Sequence, residues 1–207
     1  FKAVLPTLAN ADPVLAVCLL ENPRFHMGGE SVRQGFIRYV EGEYPDRYAV
    51  NRAWQSHMGD LQDIDIWWDY KKPAYQFDWQ WYHLGLATEF LRSLDSQANR
   101  LAPEIPFFLG LPDTAFQEGE SAQGIDRESL AEAFPLSGCI AEHSTQSPLF
   151  AMQYPGEVAT YALMRSFAPD KPVINVENRF LVGNDRFTEY TYDYVHGLMW
   201  ESAMAGL

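Results

Sequence analysis

Apolar positions in this chain fall into two rhythms. Continuous apolar runs of four to seven residues occur at "VLAVCLL" (14–20), "IPFFLGL" (105–111), "GCIAEH" (138–143) and "KPVINVE" (171–177). Runs of this length without alternation predict strands buried on both faces, as in a parallel sheet. A fifth run, "HGLMWE" (196–201), predicts another strand of the same kind. Between them the apolar residues recur at helical spacing, over 77–102, 126–134, 155–168 and 185–195. Pro155 near the start of the third helix, and Asp170-Lys171-Pro172 after its end, mark its limits.

Strands and helices alternating at spacings near 30 residues predict repeated βα units around a parallel sheet. A β/α barrel and a doubly wound sheet both satisfy that pattern. Residues 24–76 interrupt it. They are too many for a loop and carry helical patterns of their own at 30–44 and 46–54, so they read as an insertion after the first strand. The whole, 1–207, is expected to be part of a single domain carrying that insertion.

Charge narrows the partners. Fifteen basic and 28 acidic residues give a net charge of −13, which disfavours nucleic-acid phosphates and anionic membrane surfaces. No run approaches the ~18 to 20 apolar residues of a membrane-spanning helix, and nothing at the start resembles a secretory signal. The chain opens without Met, so it is expected to be a piece of a longer polypeptide. Cys18 and Cys139 both lie in apolar text and read as buried free thiols. No HxH, HExxH or CxxC occurs, His57, His83 and His143 are scattered, and "HMGGES" lacks the Lys of a phosphate-binding loop. Neither a metal nor another cofactor is expected. Six Trp and 11 Tyr include Trp67 and Trp68 in polar text; such rings serve either as core or as platforms for sugar faces.

Two of the predicted strands end in glutamate, at Glu21 and Glu177, each followed by Asn. In a β/α barrel the carboxyl ends of the strands open onto a common pocket. Two carboxylates presented there are what glycoside hydrolysis requires: one protonates the leaving oxygen, and the other attacks the anomeric carbon or activates water. On strand composition alone, each Glu is equally well a solvated residue just past a strand.

A family resemblance separates the two readings. From about Leu8 to Gly206 the chain resembles the second half of the catalytic barrel of clan A glycoside hydrolases, and within that clan it is most similar to the family 42 β-galactosidases. "NADPVLAVCLLENPRF" looks like the clan's fourth strand, whose acid/base then falls on Glu21. The stretch "FIRYVEGEYPDRYAVNRAWQSHMGDLQDIDIW", with "DWQWYHL" after it, resembles the family's insertion, through Val50-Asn51-Arg52-Ala53-Trp54 and Asp78-Trp79. "KPVINVENRF" resembles the seventh strand with its nucleophile, which falls on Glu177, and "HGLMWESAMAG" the eighth, whose sugar-lining Trp falls on Trp200. Leu20 departs from the pattern. The clan usually has there an Asn that hydrogen-bonds the sugar 2-hydroxyl, and a Leu can neither donate nor accept.

The resemblance implies an α/β (β/α)8 barrel, of which this chain supplies roughly strands four to eight, the rest coming from a longer chain or a partner subunit. About 156 positions separate the two glutamates, which three βα units of ~30 residues and an insertion of ~50 would fill. The implied function is a retaining glycoside hydrolase on β-linked galactosides or related β-glycans; the alternative is an inactive carbohydrate-binding barrel. Four further residues are candidates near the sugar. His143 ends the predicted sixth strand, as a sugar contact or a structural His. Asn175, two residues before Glu177, is expected on the same strand face, and Arg24 and Glu201 lie at loop ends within reach of the pocket.

Overall fold

The structure is a computed structural model that describes residues 4–9, 14–25, 27–66, 72–112, 124–140, 155–177 and 192–207. In chain order the elements are α1 (Leu5–Ala9), β1 (Val17–Glu21), α2 (Glu30–Glu43), α3 (Arg47–Ala53), a 3-10 turn (Leu61–Asp63), α4 (Pro73–Leu101), β2 (Phe107–Pro112), α5 (Arg127–Ala133), β3 (Ser137–Ile140), α6 (Pro155–Phe167), β4 (Val173–Glu177) and α7 (Tyr192–Met204). They gather into two compact units. One holds Phe1–Pro23, Phe90–Glu120 and Arg127–Leu207, and the other holds Arg24–Glu89 and Ser121–Asp126.

The first unit contains the sheet. Its four strands are all parallel and lie in the order β1-β2-β3-β4. A doubly wound sheet reverses its strand order partway across. The unbroken sequential order here is that of a barrel wall, with each strand beside the one before it.

The two faces of the sheet are told apart by what they touch. Leu109, Leu111 and Ser137 line a seam with Leu130, Ala131 and Phe134 at α5 and Met164 of α6. Phe107, with Val17 and Leu19 against it, packs on Leu5, Ala98, Ala102 and Ile105. The odd-numbered positions of β2 therefore face the helices. Its even positions, Phe108 and Gly110, face the other way, toward what is the interior of a barrel.

Lys171, just before β4, ties the helical layer to the sheet. Its ammonium donates to the carbonyls of Ala131, Glu132 and Phe134 at 2.8, 2.6 and 2.8 Å. Those carbonyls end α5 and have no partners within the helix, and a cation there also suits the negative end of the helix dipole.

The second unit has its own core. Phe36, Ile37, Val40, Val50, Trp54, Ile64, Tyr75 and Trp79 are buried together, and Phe36 is the hub of the rings, stacked on Trp54 and edge-on to Trp79. One buried carboxylate joins three helices. Asp78 of α4 accepts from the Tyr44 hydroxyl after α2 at 2.6 Å and from the Trp54 indole after α3 at 2.7 Å. Asn51 organises the loop that follows: its amide donates to the Met58 carbonyl, and its oxygen accepts from Ser56 and from the Met58 amide. On the far side, Arg33 donates to the carbonyls of Gln62 and Ile64.

One expected element is corrected. Residues 196–201 are not a fifth strand but the middle of α7. "YDYVHGLMWESAM" contains a single β-branched residue, Val195, among Leu, Met, Glu and Ala, which favour helix. The short apolar run that suggested a strand is one that periodicity cannot distinguish from helix. Among the described residues no helix is long and apolar enough to cross a membrane.

Candidate active site

Glu21 and Glu177 are the last residues of β1 and β4. Both come directly after an irregularity in strand pairing. Cys18 pairs with Phe108, then Leu20 with Leu109 and Glu21 with Gly110, so Leu19 is one residue more than β2 can match. Likewise Cys139 pairs with Asn175 but Ile140 with Glu177, which leaves Val176 extra. Each is a bulge, in which two residues oppose one and later side chains change face.

The bulges decide which way the carboxylates point. Glu21 shares the face of Gly110, its register partner, and Gly110 pairs with Gly138. Glu177 shares the face of Ile140, two residues beyond Gly138 and register partner of Pro112. Both glutamates thus project on the face opposite the helices. The row through Glu21, Gly110 and Gly138 meets β4 at Ile174, so Glu177 lies three positions further along its strand. A barrel of eight strands and shear eight steps about one residue per strand at constant height. Three steps then require about three residues, and the stagger has that size.

The same registers relocate two other residues. Leu20 pairs with Leu109 and so takes the helix-facing side, away from Glu21. Asn175 was expected beside Glu177, but the bulge at Val176 puts it on the opposite face. Its amide donates to the hydroxyl of Tyr161, buried on α6, at 3.0 Å. Its polarity is satisfied in the helical layer.

Of the remaining candidates, Trp200 does not end a strand. It is on α7, 60% exposed, and its indole N–H donates to His196 one turn back at 3.2 Å. Glu201 is its half-buried neighbour on that helix. Arg24 is exposed, just beyond β1 and in the second unit. His143, Trp67 and Trp68 lie outside the described residues. Among the described residues no group of three His, Cys, Asp or Glu is placed to hold a metal ion.

The interior face also carries residues that strand patterning did not single out. Cys18 is on it, three residues before Glu21. Burial above all raises the Cys18 pKa; contacts with the Gly110 and Leu20 backbone oppose that, and the negative charge of Glu21 adds to it. That shift disfavours the thiolate, the nucleophilic form. Gly110 and Gly138 lie side by side on adjacent strands. A glycine within each of two buried runs, "FFLGL" and "SGCI", was the available signal, since strand glycines mark close approach of backbone or ligand. Directly after Glu21 the chain turns at Asn22, whose φ is +47° and whose N–H donates to the Gly110 carbonyl at 2.8 Å. A left-handed Asn there ends the strand abruptly and leaves Glu21 at its mouth.

Neither a protein-family model nor a curated protein sequence matches the chain significantly. Solved structures do match. An apo exo-carrageenase of glycoside hydrolase family 42 from Bacteroides ovatus superposes with a TM-score of 0.70 at 21% identity, over 86% of this chain and 27% of that one. A cold-adapted β-galactosidase from Rahnella sp. R3 gives 0.76 at 15% identity, over 99% and 31%. A family 42 β-galactosidase from G. stearothermophilus, solved as a catalytic mutant, gives 0.68 at 15% identity, over 86% and 28%. The fold is therefore that of a glycosidase β/α barrel, resembling the family 42 β-galactosidases. The chain spans under a third of the length of these structures and makes up part of such a barrel.

Proposed function

We propose that this chain is the glutamate-bearing part of a retaining glycoside hydrolase acting on β-linked galactosides or related β-glycans. The observation that carries the reading is that Glu21 and Glu177 end two parallel strands, each behind a bulge that turns it to the same face. In this reading a carboxylate oxygen of Glu177 attacks the anomeric carbon. The bond to the leaving oxygen breaks, and that oxygen takes the proton of Glu21. Water then attacks the same carbon, gives its proton to Glu21 and releases Glu177 from the glycosyl ester. Retention asks for carboxyl groups ~5 to 5.5 Å apart.

Arg24, His143 and Glu201 belong to the proposal as sugar contacts. Trp200, exposed on α7, belongs with them; Asn175 does not, because of its bond to Tyr161. No cofactor is required. The other strands of the barrel come from the rest of a longer chain or from a partner subunit.

The reading is tested on the intact protein. Glu177→Gln should abolish hydrolysis of an aryl β-galactoside with the fold unchanged, and near-normal turnover would overturn the assignment. Glu21→Ala should be rescued by azide on an activated aryl glycoside, giving a β-glycosyl azide. Sugar binding by a wild-type protein that hydrolyses none of a panel of aryl β-glycosides and β-galactans would favour the inactive carbohydrate-binding barrel.

A further inference from the structure

Gly110 and Gly138 are neighbours on the interior face, yet the fold needs only one of them to be glycine. A Cβ on Gly138 would run into the carbonyl oxygen of Leu109 and come within 2.6 Å of the Phe108 ring, so packing alone demands that glycine. A Cβ on Gly110 would meet Val176 Cγ2 at 3.4 Å, Cys18 Sγ at 3.5 Å and the Glu21 Cα at 3.6 Å, all ordinary contacts. Nor does the Gly110 backbone need glycine, because its φ is not among the positive values. Glycine in a strand interior weakens the strand, and where neither a bend nor crowding explains it, close approach of a ligand does.

We infer that Gly110 is a specificity-determining residue of the Glu21/Glu177 site. Its missing side chain leaves a methyl-sized gap beside the stem of Glu21, into which one edge of the glycosyl ring reaches. The inference rests on the two-glutamate reading and deepens it: the site accepts a pyranosyl unit whose edge comes down onto β2, with Cys18 and Val176 bounding the gap it enters.

The test is Gly110→Ala in the intact protein, read by KM and kcat on an aryl β-galactoside and by galactose inhibition. A methyl in the ring's place should raise KM and the galactose inhibition constant at least tenfold, with the melting temperature little changed. Val176→Ala, added to it, separates a filled site from a crowded wall. If the methyl displaces the sugar, the double variant stays impaired. Recovery in the double variant, or unchanged constants in Gly110→Ala, would overturn the inference. Aryl galactoside binding to Glu177→Gln, measured by calorimetry, keeps the two readings apart. Equal binding with and without Gly110→Ala in that inactive background would overturn this inference and leave the two-glutamate mechanism standing. No binding in either, with no wild-type hydrolysis, would overturn both.

Discussion

Removing the Asp78 carboxylate should loosen the second unit selectively, by an amount the structure bounds. The carboxylate is 8% exposed and Trp54, one of its donors, 3%. In Asp78→Ala the Trp54 indole N–H loses its partner where water does not replace it, at ~1 to 3 kcal/mol. The Tyr44 hydroxyl is better exposed and recovers part of its bond from water. Against this, the variant no longer holds a desolvated carboxylate. The net expectation is ~2 to 4 kcal/mol. Asp78→Asn keeps the shape and one acceptor, and should cost about 1 kcal/mol. With two compact units a single unfolding transition is a poor ruler, so the assay is hydrogen exchange by mass spectrometry on peptides from 30–54 and 73–89. Protection there should fall about 30- to 1,000-fold while β2 and β3 peptides change little. A fall under threefold would refute the reasoning, as would a Tyr44→Phe/Asp78→Ala cycle with no coupling energy. Titration supplies a second readout. Burial first, and the Asp78 bond second, push the Tyr44 pKa up to about 12. Removing Asp78 should lower it while leaving it above its ordinary value, as followed by tyrosinate absorbance.

Four other outcomes are expected. Lys171→Met strips three carbonyls at the end of α5 of their donor and should destabilise the sheet unit by ~2 kcal/mol, read as midpoint in urea. Asn22→Gly should keep stability within a few tenths of a kcal/mol and Asn22→Val should lose ~1 to 2, because only the first tolerates the positive φ; equal effects would refute the strain argument. Arg33 first, and Gln34 second, hold the Glu30 carboxyl at about pH 2, below its ordinary 4.5. The stabilisation is thus present above pH 4.5 and lost as pH falls toward 2, and Arg33→Met should remove that part of the acid dependence. Gly138→Ala should fail to fold or lose several kcal/mol, in contrast with Gly110→Ala, because its methyl meets backbone.

Much of the sheet was legible because buried parallel strands announce themselves as continuous apolar runs. "VLAVCLL", "IPFFLGL" and "KPVINVE" each overlap an observed strand, and the helix expected at 77–102 forms at 73–101. The interval around 196–201 was not legible. An apolar run of six between helical signals fits either element, and only the structure shows that α7 continues through it. Side-chain direction was the other blind spot. Counted from Cys18, strict alternation puts Leu20 inward and Glu21 outward, and counted from Glu177 it puts Asn175 inward; bulges at Leu19 and Val176 reverse these, and a bulge leaves no compositional mark in text as uniformly apolar as "VCLL". The Leu20 that departed from the clan's pattern thus faces the helices.

The order β1-β2-β3-β4 also carries a schedule. About 24 residues separate β2 from β3 and about 32 separate β3 from β4, whereas about 85 separate β1 from β2. Loop closure grows as three halves of RT times the logarithm of length, so the first pairing is harder by only ~1 kcal/mol than the second. That is enough to put it last when nothing else intervenes. What intervenes is the second unit, whose aromatic core lies between β1 and β2 in the chain. Once that core has condensed, most of the long gap no longer wanders. The Phe36 cluster, which includes none of the residues that pair the two strands, is then expected to govern how quickly β1 brings Glu21 to β2, and Phe36→Leu should slow the closing of β1 on β2 more than it disturbs β2 to β4.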